Sequence, residues 1–111
     1  MAIVAKTLIP TRNVPNAQTT QYVAANVTTI IDKFTATNFS SGIVTISVNL
    51  ATAGEATGFS NMVVKTRALQ PGETYTFPEI VGHILSPNNF ISTLASAAAA
   101  VNLRASGREI S

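Results

Sequence analysis

Across residues 27–50, VTTIIDKFTATNFSSGIVTISVNL, apolar and polar positions alternate as they do in half-buried strands. Val44, Ile46, Val48 and Leu50 take one face and Thr45, Ser47 and Asn49 the other, so one face of this strand is core. In the strand before it, Ile30, Phe34 and Ala36 share a face with Asp32, while Thr29, Lys33 and Thr35 flank Ile31 on the opposite one. Residues 38–42 form the turn that joins the two into a hairpin. The same reading puts strands at residues 1–9, 19–25, 61–69 and 73–77.

Punctuation residues divide the rest of the chain. Residues 10–18, PTRNVPNAQ, hold two prolines and little to bury, which makes them a linker behind the first strand. Residues 51–61 are rich in small residues and form an exposed loop. Pro71 and Gly72 occupy the centre of a type II turn, because proline presets the first φ and glycine supplies the positive second one. Residues 78–85 suit either one helical turn or an irregular segment. In residues 90–101 the alanines favour helix, whereas Phe90, Ser92, Leu94 and Val101, Leu103, Ala105 favour two strands, and a hairpin turning within residues 96–99 is chosen.

The expected architecture is all-β: one antiparallel β-sandwich, Ig-like or jelly-roll-like, of about eight strands. It divides into an extended N-terminal arm and linker, residues 1–18, and a sandwich domain, residues 19–111. Fully extended, residues 1–17 reach roughly 55 Å at about 3.3 Å per residue. Ile3, Val4, Leu8 and Ile9 on this tether are candidates for adding to a neighbouring subunit's sheet edge, or for packing on their own domain.

Composition changes this picture in one respect. Only 11% of the 111 residues are charged, against 46% hydrophobic, so the surface suits contact with other protein surfaces. The net charge is +2, and the basic residues are scattered without interleaved aromatics, which argues against nucleic acid as a partner. There is no cysteine, no stretch long enough to span a bilayer and no secretory leader pattern at the N-terminus, so neither disulfides nor a membrane partner is expected.

Catalytic chemistry finds few residues to use. His83 is the single histidine and Asp32 the single aspartate, and the four glutamates fall in different segments. Glu79 could orient His83 as a base, but a satisfied structural histidine in a loop is the better reading of the pair. No nucleophile elbow, phosphate loop or metal-ligand spacing occurs, so no enzyme, cofactor or metal is expected.

Several motifs carry a resemblance: Thr19-Thr20-x-Tyr22, the strand ending in Asn38, residues 44–50, the loop through Ala53-Gly54, and Leu69-x-Pro71-Gly72-Glu73-Thr74. Gly82-His83-x-Leu85 and Ala105-Ser106-Gly107-x-Glu109-Ile110 complete the set. Over residues 19–111 the chain resembles small accessory structural proteins of tailed bacteriophage virions, departing from them at residues 86–89, where a Gly-Asp turn is expected. The resemblance implies a non-enzymatic virion protein, assembled in the bacterial cytoplasm and bound in many copies. It would decorate the head on the major capsid protein, or sit at the neck, collar, baseplate or tail fibre. A homo-oligomer, by analogy a trimer, goes with that reading. A host carbohydrate-binding module is the third alternative, with Tyr22 and Tyr75 as its candidate aromatic platforms.

Overall fold

A computed structural model describes residues 2–111. Among them nine strands form two antiparallel sheets packed as a sandwich: β1 (Ile3–Asn13), β2 (Thr19–Val23), β3 (Thr28–Asn38), β4 (Val44–Ala51), β5 (Met62–Leu69), β6 (Thr74–Tyr75), β7 (Ile84–Leu85), β8 (Phe90–Ala95) and β9 (Val101–Ile110). The first sheet runs β1-β9-β3-β6, with β7 also on β3, and the second runs β2-β8-β4-β5. This order is the double Greek key of a jelly roll. β6 and β7 share one strand position, pairing with Ala36–Thr37 and with Thr29–Ile30 at the two ends of β3.

The jelly-roll order corrects two expected hairpins. Residues 38–42 carry the chain from the first sheet to the second, and residues 96–100 carry it back, so β3 does not pair with β4, nor β8 with β9. Their strand and turn character is local, but partner choice is decided across the core. The first crossover is held by Asn38, whose side-chain amide donates to the Gly42 and Leu69 carbonyls at 2.8 and 2.9 Å. A backbone bond from Phe39 to the Ala100 carbonyl, 2.9 Å, ties the two crossovers together.

Side chains from both sheets close the core. Phe34 meets Phe77 edge to face at 5.0 Å, and Ile31, Ile46, Leu69, Ile91 and Leu103 are fully buried around them. Each such side chain contributes about 1.5–3 kcal/mol by leaving water. In β3 the inward residues are Thr29, Ile31, Phe34 and Ala36, so Ile30 and Asp32 point out, contrary to the simple alternation. The cause is a bulge: Ile31 pairs with Gly107 and Lys33 with Ser106, leaving Asp32 as the extra residue.

Residues 10–18 are part of the sandwich. β1 continues through Pro10, which an edge strand tolerates, to Asn13. Val14 is fully buried and donates its amide to the Val101 carbonyl at 2.9 Å, and Pro15 accepts from Ala95 at 3.1 Å. The segment expected to reach away as an arm therefore pairs in place along β9. At residues 70–73 the Glu73 amide donates to the Gln70 carbonyl at 2.9 Å, and Gly72 has φ 79°. Residues 78–83 make successive turns that plug Phe77 and Ile80 into the core.

Candidate contact surface

A sandwich of this kind meets partners through its strand edges and its outer faces. Three of the four edge positions are blunted. β5 carries two bulges, one with Thr66 at φ 45°, and its cations are engaged: Lys65 lies 5.2 Å over the Phe59 ring and Arg67 3.9 Å over Tyr75. β2 is five residues long and bulged at Gln21, and β6 and β7 have two residues each. β1 is different. Its second half is irregular, but residues 3–7 pair with β9 in unbroken register from Ile110 to Ser106.

The outer faces of the two sheets contrast. On the second sheet, Asn49 and Ser92 point outward yet are buried, because the chain covers them. Gln18 donates to the Ser92 hydroxyl at 2.7 Å and to Asn49 Oδ1 at 3.3 Å, and the Asn49 amide donates to Gly58 O at 2.9 Å and to Asn61 Oδ1 at 2.7 Å. On the first sheet the register lines up Ile84, Ile30, Arg108 and Ala5 in one row and Thr28, Ile110 and Ile3 in the next. Ile3 and Ile84 are 58% and 62% exposed. Beside them Arg108 grips Asp32 through two 2.9 Å bonds, which hold that carboxyl below its ordinary range.

A polar cluster closes the same end between the sheets. The Tyr22 hydroxyl donates to the Glu109 carboxylate and accepts from the Thr29 hydroxyl at 2.7 Å, while Lys6 pairs with Glu109 at 3.2 Å. Burial and the bond to Glu109 push the Tyr22 phenol up to about 12. The Tyr22 bond and the Lys6 charge in turn hold Glu109 below the usual carboxylate range.

The four expected contact residues divide. Ile3 and Val4 are exposed, whereas Leu8 and Ile9 are buried in their own core, brought to the same side by a bulge between Thr7 and Ile9. Pro71 and Gly72 lie in an exposed turn remote from the Ile30–Ile84 row. His83 is exposed, and Glu79 is engaged by the Tyr75 hydroxyl at 2.9 Å to both oxygens. Among the described residues no group of three or more His, Cys, Asp or Glu side chains converges as metal ligands would, and no helix is long and apolar enough to cross a membrane. The sequence pattern missed Ile30 because the Asp32 bulge reverses the faces of β3, and it missed Ile84 and Ile110 because only strand pairing brings them beside it. A shallow depression of about 390 Å³ beside them is lined by Ala5, Lys6, Thr7, Asp32, Ser106 and Gly107.

No protein-family model and no curated protein matches the chain. Among solved structures it is similar to one described as Bacillus endospore appendages that form a novel family of disulfide-linked pili. The identity is 16%, the match covers 98% of this chain and 88% of that one, and the TM-score is 0.57. The likeness is one of fold.

Proposed function

We propose that this chain is a non-enzymatic structural protein of a tailed-bacteriophage virion, a decoration subunit bound in many copies to the outside of the head. The observation that carries the reading is a well-packed sandwich that leaves large apolar side chains in water on the outer face of its first sheet, Ile3 at 58% and Ile84 at 62% exposure with half-buried Ile30 and Ile110 between them. Isolated exposed hydrophobics are ordinary, but a run of them across one sheet face favours a contact surface. The low charge of the chain supports it, since charged groups are depleted at the cores of protein interfaces. The resemblance to virion accessory proteins supplies the setting.

The jelly roll serves viral capsid and lectin domains alike, so the fold does not choose between them. A carbohydrate platform is disfavoured: Arg67 covers the Tyr75 ring, and the Tyr22 hydroxyl is turned inward to Glu109 and Thr29. The pilus likeness reaches the fold alone, and a chain without cysteine offers no disulfide link between subunits. A neck or tail position is the second reading, with the same surface facing a ring of lower copy number.

Quantitative mass spectrometry of purified particles, with antibody-labelled electron microscopy, tests the assignment. Hundreds of copies over the head are expected. A few dozen or fewer at one vertex or along the tail replace it with the second reading. Absence from particles overturns both.

A further inference from the structure

We infer that residues 3–7 of β1 pair antiparallel with the same residues of a second copy about a two-fold axis, joining two first sheets into one continuous sheet. The inference goes beyond the virion assignment and does not rest on it.

The backbone supplies the first part of the argument. Ala2 and Ser111 exchange both amide bonds, at 3.3 and 3.0 Å, so Ala2 turns its peptide groups toward β9. The register runs unbroken from Ile3 opposite Ile110 to Thr7 opposite Ser106. Alternation along an antiparallel ladder then turns Val4 and Lys6 toward β9 as well, and leaves the amides and carbonyls of Ile3, Ala5 and Thr7 aimed away from the sheet. Here, in contrast to the other three edges, neither a bulge nor a break between short strands interrupts the row, and Ile3 and Val4 are more than half exposed. Such an edge is a template for another strand.

Charge selects the occupant's register. Centring the two-fold on Lys6 would set Lys6 opposite Lys6, which is unfavourable. Centring it on Ala5 sets Ala5 opposite Ala5, Ile3 opposite Thr7 and Val4 opposite Lys6, uses all five residues of each copy, and forms about six main-chain hydrogen bonds. Lys6 stays paired with Glu109 of its own chain. The segment is thus complementary to itself, and the isologous contact closes at two copies, which spares the edge from open-ended growth. Because this axis is perpendicular to the sheet, the exposed Ile3 and Ile84 and the half-buried Ile30 and Ile110 of both copies lie on one side as a doubled apolar face.

Sedimentation equilibrium across a wide concentration range, together with amide hydrogen exchange, tests the pairing on the full chain. A monomer–dimer equilibrium is expected, with exchange at Ile3, Ala5 and Thr7 slowing as the dimer forms while Val4 and Lys6 are protected throughout. Ala5→Pro deletes only an outward amide and should weaken the dimer about tenfold or more. Val4→Lys, which faces a lysine with a lysine, should weaken it similarly and serves as a second probe should the proline disturb the strand. A chain that stays monomeric with those three amides unprotected, a trimer or filament, or a dimer indifferent to both substitutions would overturn the inference.

Discussion

The two outer faces of the sandwich invert the usual distribution of polarity. On the second sheet Asn49, a polar residue, is 1% exposed, while on the first sheet Ile84 is 62% exposed. The difference lies in what the chain does next. Gln18 and residues 52–61 fold back over Asn49 and Ser92 and satisfy them with hydrogen bonds. Among the described residues no segment returns over Ile3 and Ile84. A period-2 pattern assigns residues to two faces of a strand, but whether the outer face meets water, its own chain or another molecule depends on the connections.

The largest effect in this comparison comes from beneath the open face. An ideal Cβ at Gly107 would stand 2.1 Å from the Ile30 carbonyl oxygen, a backbone atom that moves only if β3 and β9 part. Gly107→Ala is therefore expected to cost about 3 kcal/mol or more, measured by urea denaturation. A loss below about 1 kcal/mol would show that the two strands can separate here at little cost. Next is the covered face. Asn49→Ala leaves Gly58 O without its side-chain donor and takes one partner each from Asn61 and Gln18, and should cost about 2–3 kcal/mol by the same measurement. A near-neutral result would mean that water substitutes for the amide, and that the cover is loose.

Much of the fold was legible in the chain, and its gaps have physical causes. The β4 alternation, the Pro71-Gly72 turn and the break at residues 96–99 are local, and they mark strands and turns where the structure has them. Pairing between β3 and β4 was misread because a short connection suits a hairpin and a crossover equally. The Asp32 bulge left no trace in the sequence, since one extra residue looks like any other until Lys33 is seen opposite Ser106. That bulge hid the candidate contact face. Residues 10–18 read as a tether because prolines mark linkers, whereas pairing of Arg12 and Asn13 with β9 and burial of Val14 tie them to the sandwich.

The polar cluster at the end of the sandwich predicts a pH dependence. Glu109 is held below its ordinary 4.5, so its contribution is complete above that value and fades as acid protonates it below. Tyr22 is raised from 10.0 to about 12, so its contribution holds below pH 10 and is lost as the pH climbs toward 12. Thermal melts should therefore fall off on both limbs. Tyr22→Phe should shrink the alkaline limb most, leaving the share of Tyr75, which burial and the bond to Glu79 also raise. An unchanged alkaline limb in that variant would show that the phenol stays in water, and that the cluster does not hold this end closed.

The smallest effect on stability belongs to the open face, where it separates folding from contact. Ile84 presents most of its side chain to solvent in the row with Ile30 and Arg108, so Ile84→Ser should change unfolding free energy by no more than about 0.5 kcal/mol. The same substitution removes apolar area from the proposed contact surface, and occupancy of the variant on particles, counted by mass spectrometry, should drop. A stability loss above about 1 kcal/mol would mean that the side chain is supported by its own domain. Full occupancy with unchanged stability would clear this row of any part in particle binding and turn attention to Phe39 and Ile43, two exposed large apolar side chains at the first crossover.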